Sequence, residues 1–343
     1  MNFDLVVGNP PYQQRDGGNG ASAVPIYNHF VELAKSLSPR IIALIIPSRW
    51  MFGGRGLSKF RQEMLGDTRI RTLIDIPDSR RVFKNVDVAG GVCAFLWDSN
   101  YAGHCRVVEN AKSKFEKVSN RPLLENGAEV FVRNSVTLGI LKKMIAVERK
   151  GEAETDLLTL PDEQCFARHV SAQRPFGLRT SFRGNATKST ASELKVIQAK
   201  GAGWVERAAV KKGKELIDQW KIYTSKSSAE HAGQANKNGQ RRVLSRTEIL
   251  PPGSVVTETY VVLGTFNTEK EALNCLSYVT SRFFRYLVVA RASAQDLSRS
   301  AYQFVPEQDW SQEWSDHELY KKYGLAQDEI DHVESTIGLW RDV

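Results

Sequence analysis

The first residues with chemistry to offer are Asn9-Pro10-Pro11-Tyr12, directly behind the apolar run FDLVVG at 3–8. An amino group conjugated into an aromatic ring is a poor nucleophile, because its lone pair is delocalised. Two hydrogen-bond acceptors aimed at its two N–H groups hold it and raise the electron density on nitrogen. The Asn9 side-chain oxygen and the Pro10 carbonyl are the candidate acceptors. The prolines stiffen the turn, so little ordering entropy is left to lose on binding. Tyr12 offers a face for a planar base, and such stacking contributes roughly 1–3 kcal/mol per base. The competing reading is a proline-stiffened turn after a core strand, with no chemistry attached.

A tetrapeptide like this needs a rigid frame. Residues 3–8 read as a buried strand stopped by the prolines. Residues 25–37 read as a helix, with Ile26, Phe30, Leu33, Ala34 and Leu37 at helical spacing. Further strands are expected at 41–47 (IIALIIP), 71–76 (RTLIDI) and 88–97 (VAGGVCAFLW), the last with a bulge at Gly90-Gly91. A short amphipathic helix is expected at 57–65. Strands alternating with helices imply an α/β sheet with mostly parallel strands, and such sheets bind ligands beyond their carboxyl ends. Asn9 falls at such an end.

After about residue 105 the alternation stops. A helix is expected at 134–146 and a charged connector at 150–156. A long polar loop is expected at 224–239, a strand at 255–266, and one helix at 269–290 behind the capping box Thr268/Glu271. Trp310, Trp314, Tyr320 and Tyr323 mark an anchored acidic tail with a terminal helix rather than a disordered one.

The chain of 343 residues carries a net charge of +8, unevenly spread. Residues 171–250 hold 16 Lys and Arg against 6 Asp and Glu, whereas 303–343 hold 3 against 10. The first imbalance is the footprint of a polyphosphate-binding face, and the expected partner is double-stranded DNA. Lys211, Lys212, Lys226, Lys237, Arg241, Arg242 and Arg246 are the candidate phosphate contacts. Gln234, Asn236, Asn238 and Gln240 are candidates for base edges. No run of eighteen apolar residues indicates a membrane span, and the N-terminus lacks a signal peptide's pattern. Cys93, Cys105, Cys165 and Cys275 fit no zinc spacing or disulfide framework, so a cytoplasmic location and no metal are expected.

The turn resembles the catalytic motif of the amino-methyltransferases that use S-adenosylmethionine, and Asn at its first position resembles the adenine-specific branch. Residues 25–37, IIALIIPSRWM, LSKFRQEML, RTLIDI and RRVFKNVDVAGGVCAFLW resemble, in order, the elements that follow this motif in type IIG restriction-modification methylases. PFGLRT, TETY, SRFFRYL, YQFVP and LYKKYGL are similar, less specifically, to phrases of the target-recognition region and tail. The resemblance implies a site-specific DNA adenine N6-methyltransferase that acts on a base flipped from the duplex. It gives Phe83, the aromatic of the Val-Phe step, the role of packing against that base beside Tyr12. No metal and no covalent enzyme intermediate are required.

In that family a Gly-rich turn and a ribose-binding acid precede the catalytic motif by many tens of residues. Here Gly53-Gly54-Arg55-Gly56 is a glycine-dense candidate, but it fits an ordinary loop of the family pattern. The expected fold is therefore the C-terminal half of a Rossmann-like methyltransferase sheet followed by an α+β target-recognition domain. The expected division is a partial catalytic domain at 1–105, a connector at 106–170 and a DNA-reading domain with a helical tail at 171–343. A separate N-terminal methyltransferase half or a restriction subunit is the implied protein partner. Two alternatives stay open: a DNA-binding fragment without catalysis, and a methyltransferase acting on protein glutamine or ribosomal guanine.

Overall fold

Apolar, β-branched segments of the first part of the chain assemble into one six-stranded sheet. In the computed structural model, residues 3–14, 24–54, 56–113, 116–150, 157–229, 235–291 and 297–340 are described. They fall into two units, Met1–Leu138 with Asp156–Leu158, and Gly139–Thr155 with Thr159–Val343.

The first unit contains β1 (Leu5–Gly8), α1 (Tyr27–Ser36), β2 (Ile41–Pro47), α2 (Ser58–Leu65), β3 (Ile70–Ile76), β4 (Val92–Asp98), β5 (Cys105–Glu109) and β6 (Lys117–Arg121). The sheet order is β1-β2-β4-β3-β5-β6. β1 runs parallel to β2, and β3 parallel to β5. β4 runs antiparallel to both β2 and β3, and β6 antiparallel to β5. Four strands therefore share one direction and two are reversed, a Rossmann-like α/β sheet. Strands β5 and β6 lie beyond the expected boundary at 105, and the unit runs on to Leu138. Their many polar residues, four of the five in KVSNR, leave no apolar run to mark them.

The expected bulge at Gly90-Gly91 is instead a turn ahead of β4. Both glycines have positive φ, +87° and +82°. A Cβ at Gly91 would fall on the carbonyl oxygens of Ile76 and Pro77, so only glycine lets the chain pass this close to the end of β3.

Asp67, in the turn between α2 and β3, ties three elements together. It accepts from Lys35 Nζ on α1 at 2.8 Å, Arg69 Nε at 2.7 Å and Trp97 Nε1 on β4 at 2.9 Å. Burial alone would raise this carboxyl, but the hydrogen bonds from Arg69, Lys35 and Trp97 outweigh it and hold it well below the ordinary carboxylate range. A depressed folded value stabilises above the unfolded pKa of about 3.9, and that contribution is lost as pH falls towards the folded value. Asp67→Asn is therefore expected to lower the free energy of unfolding by about 2–4 kcal/mol at pH 7. The deficit should shrink as pH drops below about 4, which denaturant unfolding at the two pH values would measure.

Helix α3 (Ser135–Glu148) starts in the first unit, where the Asn134 side chain accepts from the amides of Val136 and Thr137 at 2.9 and 3.1 Å. In the second unit β7 (Leu194–Gln198), β8 (Gly201–Val205) and β11 (Ser254–Val256) form one sheet. A second sheet is formed by β9 (Trp220–Ser225), β10 (Thr247–Leu250) and β12 (Tyr260–Phe266). A core of Leu194, Val196, Val205, Tyr223, Leu250, Val255 and Val262 draws on both sheets. The single strand expected at 255–266 is thus two.

The single helix expected at 269–290 is also two, α4 (Glu269–Thr280) and α5 (Arg282–Arg291). The Thr268/Glu271 capping box starts α4 as expected. Ser281 is extended and its hydroxyl accepts from Phe284 N at 3.1 Å, so it caps a new helix instead of continuing the old one. The tail folds as α6 (Asp316–Lys322) and α7 (Gln327–Thr336), with Tyr323 stacked on Phe283 at 5.2 Å. Among the described residues no helix is long and apolar enough to cross a membrane.

Candidate active site and nucleic-acid interface

Because β1, β2 and β3 point the same way, their carboxyl ends meet at one edge of the sheet, and reversed β4 starts there. That edge gathers the residues after Gly8, Pro47 and Ile76 and those before Val92. Asn9 is exposed at the end of β1, where an incoming group can reach it. The turn behind it is held: the Tyr12 carbonyl accepts from Ile26 N at 3.3 Å, and Gln13–Gln14 pairs antiparallel with Val24–Pro25.

Tyr12 is half-buried. It packs on a cluster of Ile76, Val92, Val108 and Ala111 that Phe83, Val82 and Val88 join from the loop after β3. Tyr12 and Phe83, 71 positions apart in the chain, thus share one apolar floor beside Asn9. Burial pushes the Tyr12 phenol above its ordinary value, the Cys93 thiol adds to this, and the Asn9 side chain opposes it. Tyr12 is therefore a neutral phenol at physiological pH.

The loop that carries Phe83 closes on Ser79. The Ser79 hydroxyl donates to Val86 O at 2.8 Å and accepts from Val88 N at 2.9 Å. Phe83 N donates to Ser79 O at 2.9 Å. A buried ion pair that sequence reasoning missed lies under this loop. Asp75, 1% exposed, accepts from Arg133 Nε at 2.8 Å and Nη2 at 2.5 Å. The two residues are 58 positions apart, and the only sequence signal was a carboxylate at the end of an apolar strand.

The glycine cluster after β2 is filled at Gly54, whereas a Cβ at Gly56 would meet nothing within 4 Å. The space a side chain would occupy at Gly54 is filled by Leu57, and Leu57 N donates back to Gly54 O at 3.2 Å. Arg55 lies outside the described residues.

In the second unit the expected DNA contacts divide. Lys211, Lys212 and Lys237 are exposed. Lys226 is half-buried, and its charge helps hold the Glu258 carboxyl down, behind the larger effect of Arg174. Arg246 forms a two-bond pair with Glu248 at 2.9 and 3.1 Å. Arg241 exchanges backbone hydrogen bonds with Thr336 and Gly338, and the Arg242 guanidinium lies 4.8 Å over Trp340. Asn236 is spent on its own turn, accepting from the amides of Asn238 and Gln240, while Gln240 Nε2 donates to Glu334 O. Gln234 lies outside the described residues. Several of these residues thus have partners inside the unit, Lys211 among them, whose Nζ donates to Ala208 O at 3.0 Å.

The sheet of the first unit is Rossmann-like and carries an Asn-Pro-Pro-Tyr turn at its carboxyl edge. Residues 1–83 match the model of the family described as Eco57I restriction-modification methylase. The chain is homologous to an uncharacterized adenine-specific methylase of Mycoplasma pneumoniae, 32% identical over 153 residues. The match covers 42% of this chain and 35% of that protein, so the chain spans about a third of the length of this relative. Among solved structures, the type IIL restriction-modification enzyme MmeI in complex with DNA overlaps 87% of this chain and 45% of its own, with 8% identity and a TM-score of 0.44. The type IIG restriction endonuclease BpuSI overlaps 94% of this chain and 44% of its own, with 11% identity and a TM-score of 0.32.

Proposed function

We propose that this chain holds the target adenine of a site-specific DNA adenine N6-methyltransferase of restriction-modification type. The observation that carries the reading is the carboxyl edge itself: Asn9 exposed after β1, with Tyr12 and Phe83 on one apolar floor beside it. The Asn9 side-chain oxygen and the Pro10 carbonyl accept from the two N–H groups of a flipped adenine, and Tyr12 and Phe83 stack its ring. S-adenosylmethionine supplies the methyl group in such chemistry. A cofactor-binding segment, in the same polypeptide or in a partner chain, provides its site. Support for that division comes from β1, an edge strand whose Leu5 and Val7 are exposed, Val7 at 71%, and from the exposed stripe Phe30, Leu33 and Leu37 on α1. S-adenosylmethionine titrated into the 343-residue chain is expected to give no micromolar binding by calorimetry. A micromolar Kd would place the cofactor site within this chain.

The second unit grips the duplex in this reading, through Lys211, Lys212 and Lys237. A salt series separates contact from a merely solubilising face. Lys211→Ala with Lys212→Ala should flatten the slope of log K against log salt by about 1.8 if both lysines neutralise phosphates, at about 0.9 per contact. A slope equal to the parent's would remove this pair from the interface. The filled turn at Gly54 favours one second reading, a DNA-binding target-recognition module with no catalysis of its own. Adenine methylation that depends on Asn9 separates the two.

A further inference from the structure

Two side chains converge on the buried Asp75 carboxylate near the end of β3. Arg133 Nε and Nη2 grip both of its oxygens, and the Ser48 hydroxyl, one residue beyond β2, donates to Oδ1 at 3.3 Å. The third guanidinium nitrogen, Nη1, is turned away from the carboxylate and donates to the Gly90 carbonyl at 2.9 Å. The next carbonyl, Gly91 O, accepts from Ser48 N at 3.0 Å. Arg133 is itself fixed: it directly precedes Asn134, the cap of α3, and its guanidinium lies 5.2 Å from the Phe52 ring centroid.

A buried ion pair alone is weak evidence for a role beyond folding. The geometry here adds something that a charge pair does not need. The planar fork of Arg133 uses two arms to fix its own orientation on Asp75, and the third arm then holds a backbone carbonyl at the exit of the loop that carries Phe83. Both ends of that loop are thereby tied: its start through Asp75 in β3, and its exit through Gly90 and Gly91. Between them, Ser79 closes the segment that presents Phe83 to Tyr12.

We propose that Arg133, oriented by Asp75, is a positioning residue for the Phe83 loop, and sets the spacing between Phe83 and Tyr12 that admits a flipped base. This rests on the proposed role of Phe83, and the test keeps the two apart. A lysine at 133 keeps the positive charge beside Asp75, but as a point charge it cannot fork to the carboxylate and reach Gly90 as well.

The experiment compares the full chain with Arg133→Lys and Phe83→Ala in two measurements. Hydrogen exchange of backbone amides 83–91 reports the loop directly. Quenching of a single-stranded oligonucleotide containing 2-aminopurine reports stacking of a base. Arg133→Lys is expected to speed exchange at amides 83–91 at least tenfold while β2 and β4 exchange as in the parent, and to weaken 2-aminopurine binding about tenfold. Parent-like exchange in the loop, or acceleration spread equally over the whole sheet, would overturn the clamp. Parent-like 2-aminopurine binding in Arg133→Lys, when Phe83→Ala binds weakly, would also overturn it. If Phe83→Ala itself binds like the parent, the stacking role of Phe83 fails, and the exchange data still decide whether Arg133 holds the loop. Should Arg133→Lys not fold, Asp75→Asn, which leaves the arginine but loosens its fork, is read by the same two measurements and the same outcomes.

Discussion

Asn9→Ala should reduce adenine methylation at least a hundredfold while leaving DNA affinity nearly unchanged. Asn9 is exposed at the end of β1, an edge strand, so its loss should not disturb the sheet. What the substitution removes is one acceptor aimed at the amine. That acceptor matters most when the nitrogen lone pair leaves the ring and the N–H groups become more acidic, that is, in the transition state. Loss of one such preorganised partner typically costs about 3–4 kcal/mol, or a hundredfold or more in rate. In the proposed reading DNA is gripped elsewhere, by the basic second unit. Comparing turnover with binding in the intact enzyme would check both halves of this expectation. Equal turnover in the variant and the parent would remove Asn9 from the mechanism.

The second large effect is expected from Leu5→Lys combined with Val7→Lys. Both side chains are exposed on β1, 54% for Leu5 and 71% for Val7, so charging them should change the stability of this chain by only about 0.5 kcal/mol. The alternation of a strand puts them on one face of the sheet. A bare apolar edge of this kind invites a further strand, and charge on it is the usual way of refusing one. If a cofactor-binding segment docks there, the double substitution should abolish methylation in cells. The purified chain should still unfold at the parent's denaturant midpoint. Undiminished methylation would show that the β1 edge meets nothing needed for the reaction.

Much of the first unit was legible because its strands are nearly continuous apolar runs. IIALIIP and RTLIDI fall within a residue of β2 and β3, and FDLVVG overlaps β1, which is an exposed edge strand and not the buried one expected. The helix starts at Thr268 and Asn134 were legible because capping is local chemistry, carried by a side chain and amides two or three residues away. Strands β5 and β6 were not, because half of their residues are polar and their place in the sheet depends on pairing with distant partners. The same limit applies at the site. Asn9-Pro10-Pro11-Tyr12 is contiguous and could be read directly. The clamp of Asp75 by Arg133 joins residues that only the folded sheet brings together. The basic region was legible only as charge. Nine cations fall between residues 211 and 246, but only the fold could show that Arg246 answers Glu248 and that Arg242 lies over Trp340. A charge count cannot separate a phosphate contact from an internal ion pair.

The most direct measurement is mass-spectrometric identification of modified bases in genomic DNA from cells with the parental locus and from cells carrying Asn9→Ala there. The expected result is N6-methyladenine at one sequence context in the parent and its loss in the variant, with the chain present at the same level in both. N6-methyladenine that persists at that context in the variant, or a modified base other than adenine lost in its place, would contradict an adenine-holding role for the Asn9–Tyr12 turn.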